Sequence, residues 1–217
     1  MSPNDTPDHS AQAPTQRTPT HPNPTPMKTH LQTPEEIRPQ IWEELGRASL
    51  DRHHEWRTPV LATADADGLP DARTVVLRQV DASVGQLTFY TDSRSPKVAQ
   101  LQTQASAVLV FWSARLSWQL RVRVTCSVIT SAPEVEALWQ GVKHSAAAGD
   151  YLSPRPPGAV LPASHGTADA AEANAPAPTH NFALLRAQVL QMDWLELSRA
   201  GHRRAQLCVN TWEWLTP

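Results

Sequence analysis

The hydrophobic pattern changes period along the chain. Residues 39–50, "PQIWEELGRASL", place Ile41, Trp42, Leu45 and Ala48 on one helical face. Just upstream, Thr33-Pro34-Glu35-Glu36 has the form of a capping box, but Pro39 should break a helix begun there, so the pattern leaves the start open. From Pro59 the period falls to two. "VLATAD" (60–65) reads as a strand, "DADG" (65–68) as a turn with Gly68 free to take positive φ, and "ARTVVLRQV" (72–80) as the returning strand. "QLTFYT" (86–91) is a third strand. "SPKVAQLQTQ" (95–104) is a short helix, with Ser95 as N-cap and Pro96 at its first position. "AVLVFW" (107–112) is a continuous apolar strand. "SWQLRVRVTCSVI" (117–129) alternates strictly, with Gln119, Arg121 and Arg123 on one side and Leu120, Val122 and Val124 on the other.

Ser131 to Glu134 forms a second capping-box pattern, followed by a helix with Val135, Leu138, Trp139 and Val142 on one face. Residues 153–180 are rich in Pro and Ala without periodicity and predict a long surface loop. The chain closes with strands at 182–198 and 203–210 that turn near Gly201, followed by "TWEWLTP". Many short strands with tight turns predict a mainly β (α+β) domain, an antiparallel closed or nearly closed barrel with short flanking helices. The βαβ alternation of a doubly wound sheet is absent, as is any G-x-G-x-x-G.

Composition removes several classes. Of 217 residues, 20 are Pro, and seven of them fall within residues 1–28, which offer almost nothing apolar to bury. That stretch predicts a disordered tail, with the barrel domain over 29–217. It lacks the apolar core of a signal peptide and the Arg-rich pattern of a transit peptide, so the expected location is cytoplasmic. No apolar run is long enough to span a membrane as a helix. A net charge of −2 argues against nucleic acid as a partner. The two cysteines, Cys126 and Cys208, lie in strand-like runs and read as reduced core thiols. Among the histidines only His53 and His54 are close, and adjacent residues point apart, so no metal site is expected.

The candidate chemistry starts at "DARTVVLRQVD". Arg73 and Arg78 bracket an apolar strand, Lys97 lies in the first turn of the short helix, Ser95 caps it, and Thr91 ends the preceding strand. Two guanidinium groups, an ammonium and two hydroxyls at a helix N-terminus suit a phosphate monoester. A spacing of five puts Arg73 and Arg78 on opposite faces of an ideal strand. They can share a ligand only if a bulge or strong twist intervenes, or if one serves a different part of it.

The ordered set "RTVVLR", "LTFYTDSRSPK", "AVLVFW", "WQLRVRV" and the closing "VLQMDWLEL…HRRAQL…WEWLTP" resembles the pyridoxamine 5′-phosphate oxidase family of FMN-binding split barrels. The resemblance runs over about 40–217 apart from the 153–180 loop, and is closer to the family's broad flavin-binding relatives than to the vitamin B6 enzyme. It implies FMN as cofactor, held by Arg73, Val75, Val76, Leu77 and Arg78, by Tyr90 and Thr91, by Ser95 and Lys97, by Gln119 beside the ring system, and by Arg204 near the C-terminus. The family's middle cation at the helix start is replaced by Pro96, with Arg94 as the neighbouring substitute. Its aromatic beside the ring falls on Trp194 or Leu195. The family's Gln-Ser pair falls on Arg155 and Pro156.

The resemblance further implies a homodimer with the flavin between subunits, and hydride exchange with a small-molecule substrate or NAD(P)H. On the substrate side, the family's Tyr, Arg and Ser fall on Leu138, Val142 and Ala146, none of which can hold a phosphate. No catalytic residue is assigned. The alternatives are a true pyridoxamine 5′-phosphate oxidase with a rebuilt pocket, a non-catalytic flavin or haem binder, and a purely structural barrel.

Overall fold

Strands form where the alternation predicts them, and all pair antiparallel. The computed structural model describes residues 33–161, 180–208 and 211–217. The predicted tail over 1–28, positions 162–179 of the predicted loop and the last two residues of the 203–210 strand lie outside the described residues.

The elements are α1 (Pro34–Leu50), a 3₁₀ turn (Glu55–Arg57), β1 (Val60–Ala64), β2 (Pro70–Thr74), β3 (Leu77–Asp81), β4 (Gln86–Asp92), α2 (Pro96–Thr103), β5 (Ser106–Ser113), β6 (Trp118–Ile129), α3 (Pro133–Val142), α4 (Gly149–Leu152), β7 (Phe182–Glu196), β8 (Arg203–Cys208) and β9 (Trp212–Leu215). The sheet order is β2-β1-β5-β6-β7-β4-β3, with β8 added to β7 and β9 to β8. β2 and β3 stand at the two ends of that order and are consecutive in the chain. Only Val75 and Val76 separate them, so one stretch of chain lies along both margins of the sheet. This is the split barrel that the resemblance implied.

Four expectations need correction. The predicted single strand 72–80 is two strands: pairing with β1 ends where the Val75 N–H donates to the Pro59 carbonyl at 3.0 Å, and beyond Val76 the chain pairs with β4 instead. Pro39 does not break the first helix. It sits on the exposed face of α1 near its start, and the Thr33 N–H donates to the Glu36 carboxylate at 3.2 Å, the return half of the capping box. Ser131 is not a cap, because Pro133 takes the first helical position and leaves Ala132 as N-cap. Cys126 is a buried thiol, but Cys208 is only half-buried, on the outer face opposite Gln191. The final "WEWL" forms a strand that the pattern had left unassigned.

Alternation in β6 sends Leu120, Val122 and Val124 into the core. There Trp56 lies 5.7 Å from Phe111, and Trp118 meets Trp194 edge-on at 5.3 Å. A second cluster gathers Val135, Trp139, Tyr151, Phe182 and Leu184 under α3 and α4. The buried Glu44 carboxylate accepts from Arg115 at 2.6 Å, His54 at 2.8 Å and Arg47 at 3.3 Å, so its charge is matched. No described helix is long and apolar enough to cross a membrane.

Leu77 opens β3 and has no exposed surface. Leu77→Ala is expected to lower unfolding free energy by about 2–5 kcal/mol through lost burial and a residual cavity. Urea denaturation followed by tryptophan fluorescence checks this; a midpoint like the parent's would contradict it.

Candidate functional site

The start of α2 gathers polar groups in a way ordinary capping does not explain. Ser95 occupies the N-cap, yet its side chain makes no cap bond. Its Oγ accepts from Lys97 Nζ at 3.1 Å and lies 3.3 Å from Thr91 Oγ1. Thr91 and Ser95 are only 3% and 2% exposed, so two hydroxyls and an ammonium converge in a nearly dry corner. Burial pushes the Lys97 pKa down, and the nearby Arg73 charge pushes it further, against a smaller upward pull from Asp92. An anion placed there would relieve both effects.

Arg73 reaches the same corner from β2, but not as a free cation. Its Nη1 donates to Thr63 Oγ1 at 2.6 Å and its Nη2 to Gln100 Oε1 at 3.1 Å, and it pairs with the half-exposed Asp71 carboxylate. Arg94 does not replace the missing middle cation. Its Nε and Nη2 hold Asp92 at 3.1 and 2.7 Å, and its Nη groups donate to the carbonyls of Ser153 and Pro154 at 2.9 and 3.2 Å. Asp92 raises the Arg94 pKa, as a matched pair should.

Arg78 belongs to a second group. The β3–β4 register shifts between Leu77 and Gln79, so Arg78 sits at an irregularity, which is the kind of break the five-residue spacing required. Its guanidinium lies 5.2 Å from the Tyr90 ring centroid, and its Nε is buried without a hydrogen-bond partner among the described residues. Glu134, whose charge reaches Tyr90, and Asp92, whose charge reaches Tyr151, are engaged by Arg186 and Arg94. Tyr90 and Tyr151 both pack edge-on to Phe182, and burial raises both phenol pKa values while the Arg78 charge opposes it. Val75 and Leu77 face the core at 7% and 0% exposure, so only their backbone could meet a ligand; Val76 is half-exposed.

Gln119 and Arg204 share a third place. Cross-strand pairing aligns Trp112, Gln119, Leu195, Arg204 and Leu215 in one row on the open face of the sheet. Leu195 therefore shares the face of Gln119; Trp194 points the other way and is fully buried. Arg204 is paired through Nε and Nη2 to Asp193 at 3.0 and 2.8 Å, and Arg121 joins the same carboxylate. Arg121 and Arg204 together hold the Asp193 pKa down despite its burial.

On the substrate side, Leu138 and Val142 pack against the second apolar cluster and Ala146 is exposed, so α3 presents no cation there. The Arg155 carbonyl accepts from Arg94 Nη2 at 3.5 Å. Among the described residues, no three His, Cys, Asp or Glu side chains cluster as metal ligands would.

Sequence reasoning missed Thr63, Gln100, Arg57 and Tyr151. Thr63 carried a signal, since a hydroxyl at an inward position of an apolar strand needs a partner. Arg57, whose Nη1 donates to the Ala48 carbonyl at 3.1 Å and to that of Ser49, carried none, because only the folded turn brings it near Arg78. The donor set at α2, with the orphaned Arg78 Nε beyond it, fits a ligand with a terminal phosphate and a polar chain.

The fold is an antiparallel split barrel with a set of cations and hydroxyls at the start of α2. Residues 39–130 match the family model "Pyridoxamine 5'-phosphate oxidase, FMN-binding domain". The chain is 35% identical over 117 residues to the pyridoxine/pyridoxamine 5'-phosphate oxidase of Caulobacter vibrioides, covering 52% of each protein. It is 40% identical over 93 residues to that of Maricaulis maris, covering 43% of this chain and 40% of the relative. The chain thus spans about half the length of the curated relatives it matches.

Among solved structures, it resembles a pyridoxamine 5'-phosphate oxidase-related, FMN binding protein from Nostoc punctiforme. That match has a TM-score of 0.63 and 29% identity, over 83% of this chain and 96% of the other. PhzG from Burkholderia lata, solved with tetrahydrophenazine-1-carboxylic acid, shares the fold at a TM-score of 0.61 and 21% identity, over 86% and 95%. Residues 39–130 are an FMN-binding domain of the pyridoxamine 5′-phosphate oxidase family, and the chain has the split-barrel fold of that family's FMN-binding relatives.

The depressed Lys97 pKa sets a pH limit. FMN affinity should fall as pH rises through the free protein's Lys97 pKa, which lies below the usual lysine value, and Lys97→Met should flatten that alkaline limb. Fluorescence titration of FMN across alkaline pH checks this; an unchanged limb in the variant would remove Lys97 from the phosphate contacts.

Proposed function

We propose that this protein is an FMN-dependent oxidoreductase that works as a homodimer with the flavin at the subunit interface. The observation that carries the reading is the dry line Thr91–Ser95–Lys97 beside Arg73, a phosphate-sized cation and hydroxyl set at a helix start. When bound, FMN supplies hydride transfer, to or from a small organic substrate or NAD(P)H.

The chain's own residues hold and orient it. Arg73, Thr91, Ser95 and Lys97 take the phosphate, while Arg78, Tyr90 and the Val75–Leu77 backbone serve the adjoining part of the cofactor. Gln119 and Arg204, aligned on the open sheet face, fix the far end. Asp193 offsets the Arg204 charge there, so the ring system would meet a directed donor and not a bare cation. The same face exposes Val60 and Trp112, at 37% and 47%, which favours a second copy of the chain as its cover.

The purified protein should release FMN, and Arg73→Ala should weaken FMN binding about ten- to a hundredfold through loss of charge-assisted bonds to phosphate. Absorption spectra, mass analysis of the released cofactor and titration check both; release of FAD, or full affinity in the variant, would end this reading. Turnover of pyridoxamine 5′-phosphate by the FMN-loaded dimer should be poor, because Leu138, Val142 and Ala146 offer its phosphate no partner. A steady-state kcat/KM above about 10⁴ M⁻¹s⁻¹ in an oxidase assay would show that the substrate phosphate is held elsewhere.

A further inference from the structure

The geometry points to Gln100 as the positioning residue that aims Arg73 at the phosphate cradle. This rests on the FMN reading above and adds to it a residue outside the expected cofactor contacts. One side-chain amide ties together three elements. Gln100 lies on α2, one turn after Lys97. Its Oε1 accepts from Thr63 Oγ1 of β1 at 2.6 Å and from Arg73 Nη2 of β2 at 3.1 Å. Its Nε2 donates to Asp71 Oδ2 at 2.9 Å. Thr63, only 6% exposed, completes the relay by accepting from Arg73 Nη1 at 2.6 Å.

The two ends of the guanidinium are therefore pinned by neutral groups, Nη1 by a buried hydroxyl and Nη2 by an amide oxygen. That fixes the plane of the fork without neutralising it. The Leu61 carbonyl adds a third neutral acceptor, 3.4 Å from Nη1, and the one charged partner among the described residues, Asp71, is 48% exposed on its side chain, so water and salt screen its pairing with Arg73. A phosphate dianion can compete with such a carboxylate, while the neutral pins stay in place.

An amide suits this post because it presents an acceptor to the guanidinium and a donor to the carboxylate at once. A Glu there would repel Asp71, and a Lys would repel Arg73. The link also has a mechanical sense. Ser95 and Lys97 travel with α2 and Arg73 with β2, so without a bond between these elements the cation and the hydroxyls would not share one frame. Held in that frame, Arg73 gives up little further rotamer freedom when the phosphate arrives.

The test uses the full chain stripped of flavin and titrated with FMN and, separately, with riboflavin, which lacks the phosphate. Gln100→Met keeps the length and removes the hydrogen bonds. It should weaken FMN about five- to thirtyfold and leave riboflavin unchanged. In an Arg73→Met background the same change should have no further effect on FMN, because Gln100 acts only through Arg73. Thr63→Val, which cuts the other pin, should show the same FMN-only loss and stands in if the Gln100 variant folds poorly. Equal losses for FMN and riboflavin, or full additivity in the double variant, would overturn the inference while leaving FMN binding intact. Failure of the parent chain to bind FMN would instead overturn the cofactor reading and the inference with it.

Discussion

The structure depends on one short interruption. If Pro70 to Asp81 ran as a single strand, the sheet would keep two free edges far apart. The chain instead breaks at Val75–Val76: pairing with β1 ends at the bond from the Val75 N–H to the Pro59 carbonyl, and pairing with β4 begins at Leu77. The sheet order then begins and ends on neighbouring residues, and the inward side chains of β1, β5, β6, β7 and β4 enclose one core. The break also separates Arg73 from Arg78, giving each its own surroundings although five positions divide them.

Those surroundings differ in how charge is matched. Arg94 and Arg204 are each forked onto an aspartate, and such pairs hold backbone or a neighbouring strand in place. Arg73 has an acid partner too, but an exposed one. Arg78 pairs with no acid among the described residues, and has a desolvated nitrogen besides. In a folded chain, buried donors without acceptors are uncommon enough to mark where something else belongs. The arginines thus range from structural to receptive, a distinction their sequence spacing did not contain.

Much of the barrel was legible because alternation in β5, β6 and β7 is enforced by burial on one face: Leu120, Val122 and Val124 had to point one way and Gln119, Arg121 and Arg123 the other. Ser95 and Lys97 were legible because helix starts carry strong local signals. The split at Val75–Val76 was not, since two valines favour a continuous strand and only tertiary pairing divides them. The cap at Ala132 was hidden by a stronger-looking Ser131, and α1 runs through Pro39 because that residue lies on the solvent face. Thr63 and Gln100 lie 37 residues apart, and their link exists only once α2 folds back across β1.

Arg94 bears on how this protein can change over time. Its guanidinium fastens the carbonyls of Ser153 and Pro154 to Asp92, directly behind the strand end that carries Thr91. On the far side, the Asn181 N–H donates to the Tyr151 carbonyl at 2.8 Å, and the Ser93 N–H to that of Asn181. The described ends of the stretch after α4 are thus tied to one strand end, and Gly158 lies against Pro96 at the start of α2, so a change of length beside either anchor would be felt at the cradle itself.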